Sequence, residues 1–288
     1  MNIIGIFLGH QQRMEEFEAL LVIGGKNEYG SLDTSELLQM KLYSVAADYF
    51  CGIPKFPKKI HAATGALLSN DKPIVCGGST KDVLATKECY VLKNCQNGCY
   101  ERVTGHGFKL RSVGFWSLIK MTQARTHASS VPINSTHLWV TGGRGPPGAS
   151  GTGKLKRTTE LINVMDSTSN LYYELENGIE DHAMVHIDDI DITVFIGGKI
   201  DTIDRHGTAS NKTYLFNHKS GSWESGPPLL QSRWGHTAGV IYTDKGTSRA
   251  NSGIVVVGGC IDSQNCLDSV EILWDINSPN AQWISGKL

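Results

Sequence analysis

The sequence lacks both a strong net charge and a long apolar segment. Its 27 Lys and Arg residues are balanced by 28 Asp and Glu residues, which leaves a net charge of −1 at pH 7. No global electrostatic field therefore draws the chain to nucleic acid or to an anionic membrane surface. No apolar stretch approaches the ~20 residues that a membrane-spanning helix needs. We accordingly expect neither nucleic-acid binding nor membrane insertion.

A helical period is also missing, and glycine is abundant instead. Apolar residues occur in short runs separated by turn-forming residues, which is typical of strands rather than of amphipathic helices. The chain has 32 glycines in 288 residues, about 11% against an average near 7%. Together these features predict an all-β fold. We interpret Met1 to His10 as a strand rather than a signal peptide, because no Lys or Arg precedes its short apolar part.

Five apolar runs end in a pair of glycines. The pairs begin at positions 24, 77, 142, 197 and 258 and so recur every 53 to 65 residues. A strand that is apolar throughout is buried on both faces, and glycine lets its end turn where a Cβ would clash. We therefore expect innermost strands stacked between radially arranged sheets. The glycines are Gly24, Gly25, Gly77, Gly78, Gly142, Gly143, Gly197, Gly198, Gly258 and Gly259.

Other residues keep phase with these pairs. A histidine opens an apolar run before four of them, a strand-like run follows each, and an aromatic residue completes each unit. Each unit thus predicts four short strands, in one domain with repeats at approximately 1–56, 57–124, 125–178, 179–231 and 232–288. A residue that recurs once per repeat is expected to make the same structural hydrogen bond in each, rather than to bind a metal. The recurring residues are His61, His127, His182, His236, Trp116, Trp223 and Trp283, with Tyr49 and Tyr172 at the aromatic position of the other units.

This pattern resembles the kelch repeat family. The shared elements are Arg-x-x-His, an apolar strand ending in Gly-Gly, Thr or Ser before x-Glu, and Trp followed by Pro and Leu. The stretch from Arg233 to Trp283 matches best, and the resemblance covers nearly the whole chain. It implies a β-propeller of four-stranded blades. Kelch propellers commonly have six blades, so the five units seen here leave a five-bladed ring and an incomplete six-bladed ring both open.

The seven cysteines predict three local disulfides and one unpaired residue. The proposed pairs are Cys76 with Cys89, Cys95 with Cys99, and Cys260 with Cys266, which leaves Cys51. Three disulfides would indicate an oxidising compartment, whereas reduced, buried thiols would suit a cytosolic protein. The segments around Cys51, Cys76 and Cys89 also resemble extracellular kelch-type proteins, and this favours an extracellular location.

Two stretches resemble ligand-binding sites, and each has a simpler structural explanation. His182 and His186 share a strand face and are followed by Asp188, Asp189 and Asp191, but polar strand positions and an acidic turn explain them without a metal. Gly148 to Leu155 resembles a phosphate-binding loop, yet Leu155 stands where the magnesium-binding Ser or Thr belongs. We interpret Arg144 to Arg157 as a mobile basic loop. No catalytic residue, metal site or cofactor is predicted.

The family resemblance implies a non-enzymatic scaffold that binds a protein or peptide through loops at the mouth of a channel. If these loops are cationic, an acidic peptide is the natural partner; alternatively, Arg125 and Arg233 only hold loops in place. Two other roles known in the family are a substrate-adaptor fragment of a ubiquitin ligase and a copper enzyme similar to galactose oxidase. The copper enzyme would need tyrosines, histidines and Cys95 or Cys99 to converge. The candidate binding residues are Lys26, Asn27, Lys58, Lys59, Arg125, Arg144, Lys154, Lys199 and Arg233.

Overall fold

A computed structural model describes most of the chain. Its backbone is described for residues 4–10, 17–23, 26–27, 30–31, 35–41, 56–68, 72–94, 100–103, 107–110, 114–147, 153–200, 207–243, 251–276 and 278–286. Side chains are described from Phe56 onward within these ranges, except at 94–114, 243 and 251. Every regular element described there is a β-strand, which confirms the all-β prediction. None of these residues forms a helix of the length and hydrophobicity needed to cross a membrane.

Within the described residues, five main antiparallel sheets follow one another along the chain, and in each the strands pair in sequence order. The described part of sheet I has three strands, Ile4–His10, Phe17–Ile23 and Ser35–Lys41. Residues Ile4–His10 form a strand, as the sequence predicts for this segment. Sheet II has four strands, Thr64–Leu68, Lys72–Cys76, Thr86–Asn94 and Gly114–Arg125.

Sheets III to V have the same four-stranded order. Sheet III consists of Ser129–Pro132, His137–Thr141, Thr158–Asn163 and Thr168–Glu174. Sheet IV consists of Ala183–Ile187, Ile192–Ile196, Thr213–Asn217 and Ser222–Ser225. Sheet V consists of Thr237–Thr243, Asn251–Val257, Val270–Trp274 and Trp283–Gly286. Trp116, Tyr172, Trp223 and Trp283 all lie on fourth strands, as the repeat pattern predicts, whereas Tyr49 lies outside the described residues.

Short ribbons occupy several connections. Lys26–Asn27 pairs with Gly30–Ser31, and Tyr100–Val103 pairs with Gly107–Leu110. Arg144–Pro147 pairs with Gly153–Leu155, so the ends of the expected mobile loop form a hairpin. Ile179–Glu180 pairs with Lys199–Ile200, which in turn pairs with Thr208–Ala209.

The second strands of the sheets form much of the core. In sheets II, III and IV this strand is buried along almost its whole length, because a neighbouring layer covers each face. In sheet V burial alternates: Ile254 and Val256 are fully buried, whereas Val255 and Val257 are half-buried. Burial on both faces is thus confirmed for sheets II to IV, and sheet V is more open on one face.

Hydrophobic clusters join sheets II, III, IV and V in series. One cluster links sheets II and III through residues such as Cys76 and Val140. A second, built around Trp139 and Phe195, links sheets III and IV. A third, which includes Val194 and Ile254, links sheets IV and V. These apolar residues therefore hold sheets II to V face to face in sequence order.

The first strands of sheets I to V contact one another in series. Between sheets II and III, for example, the hydroxyl groups of Thr64 and Ser130 lie 2.8 Å apart. The first strands therefore form the inner edge of the series. The expectation that the second strands are innermost is wrong: they are the next layer outward, where they are covered on both sides.

Two of the predicted cysteine pairs are disulfide-bonded. Cys76 and Cys89 are directly opposite each other on adjacent strands of sheet II. Cys260 and Cys266 close the loop between the second and third strands of sheet V. The third predicted pair, Cys95 with Cys99, and the remaining Cys51 lie outside the described residues.

Candidate functional site

The connections that enter sheets II to V share one backbone conformation. Ala62, His127, Asp181 and Gly235 all have φ between 51° and 64°, in the left-handed region. The N–H of His127 donates to the carbonyl of Ala62, that of Asp181 to His127, and that of Gly235 to Asp181, at 2.8 to 3.0 Å. This chain of hydrogen bonds connects equivalent residues of consecutive units, so it fixes the connections relative to one another.

The four recurring histidines take three different places in this arrangement. His61 precedes the left-handed residue, His127 occupies it, and His182 and His236 follow it. They therefore cannot share one structural hydrogen bond, and that expectation is wrong. His182 and His236 are buried, and Nε2 of His182 lies 2.7 Å from the Thr141 hydroxyl. Burial lowers the pKa of His182 to about 3 and that of His236 to about 4, so both are neutral at pH 7.

Arg125 is fully buried and ties the end of sheet II to sheet III. Its guanidinium donates to the carbonyls of Gly142 and Thr158 at 2.7 and 3.0 Å and to Oε1 of Glu160 at 2.6 Å. Burial alone would raise the pKa of Glu160, but the charge of Arg125 and several hydrogen bonds outweigh it, so the pKa is lowered. The pair is charged and buried, and both terminal nitrogens of the guanidinium are hydrogen-bonded, whereas Nε finds no partner among the described residues.

Arg233 repeats this arrangement between sheets IV and V. It is fully buried, donates to the carbonyl of Gly258 at 2.7 Å, and pairs with Oε1 of Glu271 at 2.6 Å. Both arginines are therefore inaccessible to a partner. Their positions agree with the alternative interpretation, in which they hold loops in place.

The other candidate binding residues are partly engaged within the protein. Arg144 forms a two-pronged ion pair with Glu180, at 2.9 and 2.6 Å, and Lys199 lies 3.4 Å above the ring of Trp234. Lys58 pairs with Glu88. Lys59 and Lys154 are exposed, and the side chains of Lys26 and Asn27 lie outside the described residues. The loops thus present fewer accessible cations than the sequence suggested.

A cleft of about 410 Å³ lies between sheets III and IV on the side of these loops. Its apolar wall contains Trp223, Phe195, Tyr214 and Leu175, and Trp223 packs on Phe195 with ring centroids 4.9 Å apart. The repeat pattern marks Trp223 as a structural residue but gives no sign of the cleft, because the wall of the cleft comes from segments that are distant in sequence. The charged residues that line the cleft are Arg157, Lys212, Glu174, Glu176 and Glu224.

The rim of this cleft has mixed charge with a small excess of carboxylates. Arg157 donates to the carbonyl of Leu175 at 2.9 Å and lies 3.9 Å from Glu174. The hydroxyl of Tyr214 lies 3.5 Å from Glu176. A cleft of this size with an apolar wall and a few polar groups is typical of sites that take one bulky side chain or a small molecule.

The sequence grouped His182 and His186 with the aspartates that follow them, but the structure separates these two histidines. His182 lies beside Thr141, whereas His186 lies near Asp191 and His218 at the turns of sheet IV. His218 escaped notice because it is 32 positions from His186 in sequence and begins a different turn. The described cysteines are all in disulfides. Cys95 and Cys99, either of which could serve as the cysteine of a copper enzyme, lie outside the described residues.

No protein-family description matches the chain, and neither does any curated protein. Solved structures do match, with 169 chains resembling the fold. One of them, "Structure of YjhT", has a TM-score of 0.57 at 16% sequence identity and covers 82% of this chain and 67% of its own. At that identity the likeness shows a shared fold and says nothing about function.

Proposed function

We propose that this protein is a kelch-type β-propeller that serves as an interaction scaffold and binds a peptide segment of a partner protein. Support for the architecture comes from four successive four-stranded sheets with hydrophobic clusters between neighbours and first strands in mutual contact. Support for the role comes from the cleft between sheets III and IV, which is the observation that carries the proposal. Buried ion pairs keep the loops around it rigid, so a partner meets a preformed surface.

The chemistry of the cleft indicates the kind of peptide. Trp223, Phe195 and Tyr214 offer a wall for an aromatic or long aliphatic side chain. Three carboxylates face two cations at the rim, so a basic residue beside the apolar one is favoured over an acidic residue. The sequence favoured an acidic peptide only if the loops were cationic. Arg125, Arg144 and Arg233 each form an ion pair with a glutamate, so their charges are neutralised within the protein.

Selection from a random peptide display library on the full chain tests this proposal. Enriched peptides would be synthesised and their Kd measured against the wild type, Ser225→Arg and Ser285→Arg. Ser225 is exposed and lines the cleft, whereas Ser285 is exposed on the equivalent fourth strand of sheet V. We expect peptides with a bulky apolar residue to bind wild type and Ser285→Arg equally and Ser225→Arg at least about tenfold weaker, because the new side chain fills the cleft. Equal affinity for all three proteins, or no enriched peptide that binds, would overturn the proposal.

A further inference from the structure

Two hairpin turns at one end of sheet IV bring His186, Asp191 and His218 together. One turn joins Ala183–Ile187 to Ile192–Ile196, and the other joins Thr213–Asn217 to Ser222–Ser225. The N–H of His218 donates to the carbonyl of Asp191 at 3.1 Å, which holds the turns side by side. One potential ligand atom from each of the three side chains lies within 4.8 Å of the others.

A buried hydroxyl sits between the two imidazoles. Oγ1 of Thr193 lies 3.0 Å from Nδ1 of His186 and 2.8 Å from Nε2 of His218, and Thr193 is fully buried. A hydroxyl oxygen has two lone pairs and can accept a hydrogen bond from both rings. Histidines that bind a metal usually donate their other N–H to an oxygen in this way, which leaves the second nitrogen free for the ion.

Carboxylates stand on the solvent side of this pair. Nε2 of His186 lies 3.4 Å from Oδ1 of Asp188 and 3.8 Å from Oδ1 of Asp191. The imidazole of His186 is 5% exposed, whereas Asp188 and Asp191 are 84% and 40% exposed. An ion can therefore enter past the carboxylates and reach imidazoles that are held firmly in place.

Packing orients both rings. They meet edge to face with centroids 5.2 Å apart, and the ring of His218 also packs against Trp139 and Phe216. Burial lowers the pKa of both histidines; His186 adds to the lowering at His218, while the nearby aspartates act against it. The ring contacts hold both imidazoles in one orientation, as a metal site requires.

We propose that His186, His218 and Asp191 bind one divalent transition-metal ion of the zinc type, with Asp188 placed to complete the coordination. Two imidazoles and a carboxylate form a ligand set that zinc accepts, whereas calcium and magnesium take oxygen ligands. Ligand atoms about 2.0–2.2 Å from a tetrahedral ion lie roughly 3.3–3.6 Å apart, so small side-chain movements suffice to close the site. The ion would clamp the two turns, and the site does not depend on the proposed peptide-binding function.

Zinc binding by the full chain tests this site. The protein would be stripped with EDTA after its free thiols are alkylated, so that cysteines do not compete, and then titrated with ZnCl₂ by calorimetry. Asp191→Asn removes the carboxylate while keeping a residue that tolerates left-handed φ, and His218→Gln removes one imidazole. His137→Gln is the matched control, because His137 is also half-buried but bonds to Asn134 and Thr136 elsewhere.

We expect the wild type and His137→Gln to bind one equivalent of Zn²⁺ with equal affinity. Asp191→Asn and His218→Gln should bind at least about tenfold more weakly, and Thr193→Val about 10- to 100-fold more weakly because the rings lose their orienting oxygen. Zinc should raise the Tm of only the proteins that bind it tightly. The absence of stoichiometric binding by the wild type, or an unchanged affinity in Asp191→Asn, would overturn the proposal even if His218→Gln fails to fold.

Discussion

The N–H of Gly143 donates a hydrogen bond to the carbonyl oxygen of Ile179 at 2.7 Å, and this bond joins sheet III to the segment that enters sheet IV. Gly78 donates in the same way to Arg125, and Gly198 to Arg233, both at 2.8 Å. Ile179 occupies the position that Arg125 and Arg233 occupy in the other units. The bond is kept there because it uses only backbone atoms. The glycine pairs thus hold consecutive sheets together through their backbone.

The buried pair of Arg125 and Glu160 should be essential to stability. Glu160→Gln leaves the guanidinium of Arg125 buried without a counter-charge, which should lower the free energy of unfolding by about 3–5 kcal/mol. Glu174→Gln is the control, because Glu174 is 64% exposed and its partner Arg157 is 56% exposed, and a surface pair contributes at most about 1 kcal/mol. Urea denaturation measures both; a similar small loss in the two variants would refute the structural role of the buried pair.

Stability should fall as the pH drops below 6.5. The ordinary histidine pKa is 6.5, and burial lowers it to about 3 at His182 and about 4 at His236, where Arg233 also lowers it. Below pH 6.5 these two histidines are therefore protonated in the unfolded chain but stay neutral in the folded protein. Each histidine should lower the free energy of unfolding by up to about 1.4 kcal/mol per pH unit below 6.5, until the pH reaches its pKa in the folded protein.

Denaturation of the His182→Gln, His236→Gln double variant between pH 7 and 5 checks this dependence. The slope of stability against pH should flatten without vanishing, since burial also lowers the pKa of His186 and His218. A slope identical to that of the wild type would show that these two histidines titrate normally in the folded protein.

Intact-mass measurement after alkylation should count the disulfides. Under denaturing, non-reducing conditions at least four cysteines should resist alkylation, namely those of the two disulfides seen here, and six if Cys95 pairs with Cys99. Reduction should lower stability by about 3 kcal/mol for the link between Cys76 and Cys89, which closes a loop of 13 residues. Modification of all seven cysteines without reduction would contradict both disulfides.

Local patterns predicted the described strands and the glycine pairs from Gly77 onward correctly, whereas Gly24 and Gly25 lie outside the described residues. The run before Gly142 is buried throughout, and Gly142 has φ of +59°, where a Cβ would lie 2.4 Å from the carbonyl oxygen of Ile179. The disulfide of Cys76 and Cys89 was predictable because adjacent strands placed these residues opposite each other. Such features depend on short stretches of chain and on backbone geometry.

Features that depend on distant segments escaped prediction. The histidines appeared to recur in phase, but shifts of one residue gave His61, His127 and His182 different positions around the left-handed residue. Trp139, which packs between sheets III and IV, lies on a second strand rather than in the recurring aromatic position. The cluster of His186 and His218 depends on two turns meeting in space, and no spacing in sequence signals that meeting.

A series of glycine-to-alanine variants tests most directly whether the glycine pairs hold consecutive sheets in backbone contact. Gly239 has room for a Cβ and an ordinary φ, so Gly239→Ala should be neutral or stabilising by up to about 1 kcal/mol. Gly235 also has room but a φ of +64°, so Gly235→Ala should cost about 1–2 kcal/mol. Gly142→Ala adds the clash with Ile179 to a similar φ and should cost roughly 1–3 kcal/mol more. Denaturation curves that show Gly142→Ala to be clearly less stable than Gly235→Ala would confirm this role of the glycine pairs, and equal stability of the two variants would contradict it.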